Sequence, residues 1–323
     1  MTDQTSIDRQ KSARAGQSLF ERAEQAFGST GLAPAPVPRG LEGRRAPRVP
    51  ARPMRIPEPA LAGERPVASE LAETRIDFGG DRQPINRAHL RTGGLIVPDG
   101  PVSGLLEEFR IVKRHVLLSA RDARRRGVTG AAQRVLICSP LPEEGKTFTA
   151  TNLALAIAAE KDTEVVLVDA DFAKPSVLDL LGLHGETGLL EALAEPERRI
   201  EDSVIATDIE GLFVLPGGRS TGTDSEFLSS ERTARVLDRL TQGAPDRIVI
   251  FDSPPALAAS PAADLARHTA QAVMVVRAGR TGESAIDDAL SLLSACPDIK
   301  LLLNDAHFSP SGRRFGAYYG SSE

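Results

Sequence analysis

The sequence predicts an α/β fold with a central, mostly parallel sheet flanked by helices, preceded by a disordered N-terminal region. Three observations predict it. An apolar, β-rich run at residues 134–138 passes directly into a loop that ends Gly145-Lys146-Thr147 and then into helical periodicity. Two later apolar runs, 165–168 and 247–251, each deliver an aspartate at their C-terminal end. From Gln133 onward, near-continuous apolar runs of strand length alternate with helical ones, the pattern of parallel strands covered on both faces.

The elements follow in order. Residues 104–120 predict an amphipathic helix with Leu105, Phe109, Val112 and Val116 on one face. After the strand 134–138, the run from Phe148 to Lys161 repeats Ala150, Leu153, Ala154, Ile157 and Ala158 at helical spacing. Strands are expected at 165–168, 212–215, 247–251, 272–276 and 300–303. Helices are expected near 176–183, 188–194, 226–240, 262–268 and 283–295. A domain of about 200 residues buries a core without disulfides.

The ends read differently. Residues 1–85 predict a mostly disordered region, because nine prolines fall between Gly31 and Pro66, denying backbone donors and blocking helices. Residues 18–27 within it read as a short helix, and Arg44, Arg45, Arg48, Arg52 and Arg55 as a solvated linker without interleaved aromatics. Residues 86–305 form the domain. Residues 306–323 predict a mobile, Gly/Ser-rich tail that holds Tyr318 and Tyr319, the only 2 tyrosines of the chain.

Composition excludes several classes. The 323 residues carry 39 Lys and Arg against 44 Asp and Glu, a net charge of −5, so no nucleic-acid partner is expected. Cys138 and Cys296 do not form a metal-type pair and read as core thiols of a reducing compartment. The 5 histidines are scattered, which argues against a catalytic transition metal. No apolar run has the length of a bilayer span, and the N-terminus lacks the apolar core of a signal peptide. The expected location is cytoplasmic, peripheral at the inner membrane only through a partner.

The site is read from the loop outward. The first loop glycine of the usual phosphate-loop pattern is replaced by Pro140, yet the strand before and the helix after restore the context. Backbone N–H groups from Pro142, Glu143, Glu144, Gly145, Lys146, Thr147 and Phe148 onward lie where phosphates would be cradled, although Pro142 itself brings no donor. Lys146 supplies a point charge for the β- and γ-phosphates and Thr147 a hydroxyl for Mg²⁺. Asp169, Asp171 and Asp252 are hard oxygen donors at strand ends, which suits Mg²⁺ with ATP. Such aspartates also cap helices and turns. Asn304, at the end of the last strand, is a candidate adenine contact or a turn former.

At these residues the chain resembles the bacterial tyrosine kinases that control polysaccharide synthesis. The resemblance is carried by Gly145-Lys146-Thr147, by Asp169-Ala-Asp171 followed by Lys174-Pro175-Ser176, and by Asp252-Ser-Pro-Pro255. It is closest to the tyrosine autokinases of exosortase-linked exopolysaccharide loci, and it covers roughly residues 85 to 323. The resemblance implies ATP-dependent autophosphorylation of Tyr318 and Tyr319, with Lys146, Asp169, Asp171 and Asp252 catalytic and Asp169 accepting the tyrosine proton. It implies Mg²⁺ on Thr147, Asp169 and Asp252. It also implies a homo-oligomeric ring joined through Glu107, Arg110 and Lys113, in which each tail enters the neighbouring site. The implied partners are a membrane polysaccharide co-polymerase or chain-length regulator as activator, and a tyrosine phosphatase.

The chain departs from that family at Glu143, where glycine is usual, at Ala173, at Pro261 and in its two-tyrosine tail. These departures leave open a catalytically weak nucleotide-binding scaffold. A partitioning-type ATPase is the other alternative; its early loop lysine is Leu141 here.

Overall fold

Seven strands form one sheet: β1 (Arg134–Cys138), β2 (Glu164–Asp169), β3 (Ile205–Ala206), β4 (Leu212–Leu215), β5 (Arg247–Asp252), β6 (Gln271–Arg277) and β7 (Ile299–Asn304). Their order across the sheet is β3-β4-β2-β5-β1-β6-β7. Every pairing is parallel except β3 with β4. The computed structural model describes residues 74–98, 100–222 and 224–306. The helix expected at 18–27, the basic stretch from Arg44 to Arg55, and Tyr318 and Tyr319 lie outside the described residues.

The helices are α1 (Arg87–Thr92), α2 (Gly104–Arg125), α3 (Lys146–Ala158), α4 (Val177–Leu181), α5 (Leu189–Ala194), α6 (Asp224–Leu228), α7 (Glu231–Arg239), α8 (Pro261–Ala266) and α9 (Glu283–Leu292). One face of the sheet packs on α1 to α4, through Leu90, Phe109, Val116, Leu153 and Leu181. The other packs on α5 to α9, through Leu189, Leu228, Leu237, Leu265 and Ala289. The central strands β1 and β5 are buried at every position, which is why they read as unbroken apolar runs.

Each expected strand is present, with ends within one residue of the expected ones. The expected helix at 226–240 is two helices, α6 and α7. Ser229 and Ser230 break it: Ser230 adopts extended backbone, and the Thr233 hydroxyl donates to Phe227 O at 2.7 Å. Serine and threonine compete with the helix ladder in this way. Helix α2 runs past the expected end at 120, carried by the buried Ala123 on an otherwise charged turn. The short elements α1 and β3 were not expected, being too brief to show a period.

The domain begins earlier than residue 86. Residues 74–85 form an extended strap on the sheet, not part of a separate region. Ile76 N donates to Gln242 O at 3.2 Å and Gln83 N to Ala206 O at 2.9 Å. Phe78 meets Phe213 edge-on at 5.0 Å. An extended strap fills existing grooves with isolated side chains and so has no periodicity to read. Among the described residues, no helix is long and apolar enough to cross a membrane.

Candidate active site

The sheet order brings the candidate residues together. Strands β2 and β5 are neighbours in a register that sets Asp169 opposite Asp252, and β1 flanks β5 with Ile137 opposite Asp252. The loop after β1 therefore starts beside both carboxylates. It leads into α3, whose first residues are Lys146 and Thr147.

The loop is shaped by a few side chains. Gly145 is left-handed, at φ 95°, and a Cβ there would strike the Asn304 amide. Glu143 is also left-handed, at φ 63°. For a residue with a Cβ that costs about 1–2 kcal/mol. Its exposed carboxylate lies 3.5 Å from the Arg280 guanidinium. Glu144 is buried instead. One of its oxygens accepts from Leu141 N at 2.8 Å and the other from the Thr281 hydroxyl. Of the residues expected to cradle ATP, Glu144 thus turns its carboxylate inward as a loop fastener. Phe148 turns its ring into the core, edge-on to Phe109 at 6.4 Å. Pro142 is exposed.

The charges of the site are held in a definite arrangement. Lys146 Nζ pairs with Asp171 Oδ2 at 2.9 Å, both side chains being largely buried. Asp171 Oδ1 accepts from Lys174 N at 3.3 Å. Asp169 Oδ2 accepts from Ser176 N and Val177 N, each at 2.9 Å, and so caps α4. Its Oδ1 is buried with no partner. The two readings of this aspartate, cap and ligand, apply to its two oxygens separately. Burial raises the Asp169 carboxyl above the usual range, against the pull of those N–H groups.

Asp252 is wholly buried, and neither oxygen has a hydrogen-bond partner. Burial pushes its carboxyl up to about 7; Thr147 and Lys146 beside it pull the other way, and Asp169 and Asp171 push further. Leaving a buried polar group unsatisfied costs about 1–3 kcal/mol. Three such oxygens on adjacent strand ends, with a threonine hydroxyl beside them, are a donor set for a hard cation. Among the described residues, no group of three histidine, cysteine or carboxylate side chains is arranged to hold a metal by itself. A magnesium ion here therefore needs phosphate and water oxygens as further ligands, which is its habit.

The Asn304 amide, a candidate for the adenine, donates to Glu144 O at 2.9 Å and so also braces the loop. One expectation changes. Lys113 is not on an open face with Glu107 and Arg110. It is nearly buried and paired with Glu160, while Glu107 and Arg110 pair with each other. Six residues along a helix turn through about 600°, so position 113 sits a third of the way round from position 107. Sequence reading places Arg277 at the strand ends without a role and misses Thr281; Arg277 at the end of β6 and Thr281 in the turn after it both touch the loop, and an isolated Thr in a turn carries no pattern.

A cleft of about 410 Å³ opens onto Asp169, walled by Pro175, Ser176, Gly217, Gly218 and Arg219. A second, of about 590 Å³, lies beside Thr147 and Phe148 with apolar walls from Leu95 and Leu180.

Comparison with known proteins bears on this geometry. A family model described as an AAA domain matches residues 144–300. The chain is 30% identical over 240 residues to the tyrosine-protein kinase YwqD of Bacillus subtilis, a match covering 74% of this chain and 96% of that one. It is 28% identical over 210 residues to the tyrosine-protein kinase ptk of Acinetobacter johnsonii, covering 64% of this chain but only 27% of the relative's length. Among solved structures, the BceF tyrosine kinase domain superposes with a TM-score of 0.54 at 24% identity, over 71% of this chain and 94% of that one, and shares the fold.

Proposed function

The chain belongs to the bacterial tyrosine kinase family, and on that premise we propose that it is an ATP-dependent protein tyrosine autokinase. Its acceptors are Tyr318 and Tyr319 of a second copy's tail. The observation that carries the reading is the register of Asp169 against Asp252, with three buried oxygens lacking partners, beside the start of a Gly-Lys-Thr helix.

Each residue has a task in this reading. Thr147, Asp252 and Asp169 would hold Mg²⁺, which would offset charge on the phosphates. Lys146 leaves Asp171 for the β- and γ-phosphates. The N–H groups at the start of α3 orient the chain of phosphates. Asp169 accepts the phenol proton of tyrosine, whose free pKa near 10 makes a positioned carboxylate useful. The phenol oxygen bonds to the γ-phosphorus, the bond to the β–γ bridging oxygen breaks, and ADP leaves.

Assembly and partners belong to the same proposal. Tail transfer in trans calls for a ring in which Glu107 and Arg110 of α2 face a neighbouring copy. Added phosphate brings charge and bulk to that contact and loosens it. A membrane polysaccharide co-polymerase or chain-length regulator would hold the protein at the inner membrane and activate it. A tyrosine phosphatase would reset it, and the regulated process would be exopolysaccharide polymerisation or export, as at exosortase-linked loci.

The test is intact mass before and after ATP-Mg²⁺, using two variants mixed together. One carries Lys146→Met with its tail intact; the other carries Tyr318→Phe and Tyr319→Phe. Transfer in trans labels the first chain only, and transfer in cis labels neither. If unmodified protein never labels, even with its membrane partner, the nucleotide-binding scaffold is the better reading. ATP hydrolysis without any tail label points to a partitioning-type ATPase.

A further inference from the structure

We infer that Arg277 is a positioning residue of the phosphate loop and that Asp305, at the root of the tail, sets its hold, so that the state of the tail is felt by the bound nucleotide. The inference rests on nucleotide binding at this loop.

The loop needs outside support. It lacks glycine at Pro140 and at Glu143, and the latter is left-handed all the same. The support comes from the turn after β6 and the end of β7. Asn304 Nδ2 donates to Glu144 O at 2.9 Å. Thr281 donates its hydroxyl to the Glu144 carboxylate and accepts from Arg277 N at 2.8 Å. Arg277 Nη1 reaches Glu143 O, the carbonyl of the strained residue, at 3.4 Å.

The other side of the Arg277 guanidinium is taken by Asp305. Its Nε and Nη2 each lie 2.8 Å from Asp305 Oδ2. One planar group therefore joins the loop to the residue that follows β7. Its two grips are unequal. The bond at 3.4 Å is long and weak, whereas the pair with Asp305 is short and charge-assisted. The carboxylate therefore fixes where the guanidinium sits, and the guanidinium in turn steadies the loop carbonyl.

Asp305 is itself in the left-handed region, at φ 55°. A pull on the chain beyond it favours extended backbone, which moves the carboxylate off Arg277. Drawing the tail towards a neighbouring copy would thus release the loop and weaken nucleotide binding. By reciprocity, a bound nucleotide favours the held conformation of the tail root. A tail that reports to the loop in this way eases the exit of ADP while the neighbour's site holds it.

The experiment is calorimetric titration of the full chain with Mg-ADP. Asp305→Asn keeps a residue that tolerates the left-handed region and removes only the charge. We expect Asp305→Asn and Arg277→Gln each to weaken Mg-ADP by roughly three- to five-fold, the scale of one partly exposed ion pair. The double variant should lose no more than Arg277→Gln alone, and the melting temperature of nucleotide-free protein should fall by no more than the roughly 2–4 °C that one partly exposed ion pair accounts for. Thr281→Ser should bind like the unmodified chain where Thr281→Val does not. Unchanged affinity in Asp305→Asn, or losses that multiply in the double variant, overturns the coupling and leaves the nucleotide site standing. A variant that is partly unfolded at the temperature of the titration, so that its unfolded fraction accounts for the lost affinity, also overturns it. Unmodified protein that does not bind Mg-ADP overturns the nucleotide reading and this inference with it.

Discussion

The two ends of the β2–β5 pair use the same register for opposite purposes. At the start, Glu164 lies opposite Arg247; at the finish, Asp169 lies opposite Asp252. The Arg247 side chain is 1% exposed, and it is well partnered. Nε donates to Glu164 Oε2 at 2.7 Å, Nη1 to Ile76 O and Leu240 O at 3.0 Å each, and the plane lies 4.1 Å from the Phe78 ring centre. At the far end, like charges face each other and three buried oxygens have no partner. One end closes the fold on itself and fastens the strap; the other stays incomplete in a way that a cation and phosphates would complete. Cavity size does not distinguish them. A cleft of about 600 Å³ lies at the satisfied end, around Arg75, Glu160, Glu164 and Asp246, away from the loop.

Substitutions at the two ends should therefore separate activity from stability. The largest effect belongs to Lys146→Met at the incomplete end. Tail phosphorylation should fall by about a thousand-fold, because the charge on the transferring group is lost from a largely buried site. Urea unfolding should change little. Asp169→Asn should also cut transfer steeply while Mg-ADP binding stays within a few-fold, since the phosphate cradle remains. If both variants transfer phosphate normally, this end of the pair is not the active site.

Arg247→Met is the matching change at the satisfied end. It leaves Glu164 with only Arg75, and it removes the donor to the buried Leu240 carbonyl and the half-buried Ile76 carbonyl and the cover on Phe78. Breaking a buried pair of this kind costs about 3 kcal/mol in urea unfolding. Mg-ADP affinity in the folded protein should be unchanged. A variant of normal stability and poor nucleotide binding would reverse the assignment of the two ends.

The pH dependence follows from Asp252, whose carboxyl burial carries up to about 7 in the folded chain. Between its ordinary value near 4 and about 7, the folded state holds a proton that the unfolded state has released. Stability of the nucleotide-free protein therefore falls as pH rises through that window and levels off above it. Asp252→Asn removes this contribution, which over about three pKa units amounts to roughly 4 kcal/mol at pH about 8, less whatever the buried amide costs in its place. A cation held by the carboxylate displaces the proton, so Mg-ADP affinity should rise with pH up to about 7 and then flatten. Parallel stability curves for the two proteins would mean that Asp252 is ionised at all these pH values.

The same comparison explains what could be read in the sequence. Strands β1, β2 and β5 were legible because burial on both faces leaves unbroken apolar runs, and the aspartates at their ends stood out against them. The convergence of Lys146, Thr147, Asp169 and Asp252 followed from the parallel order of strands. The partners of those residues did not follow. Lys146 resting on Asp171, Asn304 on Glu144 O and Lys113 on Glu160 are long-range choices between chemically equivalent groups, settled only when the chain packs. The strap at 74–85 was missed because its anchors, Ile76, Phe78 and Gln83, match grooves made by distant elements.

The smallest expected effect sharpens the comparison at the scale of adjacent residues. Glu143 and Glu144 are the same side chain on the same loop, yet one is exposed and strained while the other is buried with both oxygens occupied. Glu143→Gly relieves a left-handed backbone worth about 1–2 kcal/mol, but the freer unfolded chain takes back about 0.5–1 kcal/mol. The ion pair it loses with Arg280 is exposed on both sides and contributes little. Net stability should shift by less than about 1 kcal/mol. Removing a negative charge from the loop should tighten Mg-ATP by about two- to three-fold, an effect that salt reduces. Glu144→Gln, in contrast, keeps size but presents an amide donor to Leu141 N–H or to the Thr281 hydroxyl, and should loosen the loop and weaken Mg-ATP. Calorimetry on the pair decides it: equal effects at 143 and 144 would mean that the loop does not distinguish the inward carboxylate from the outward one.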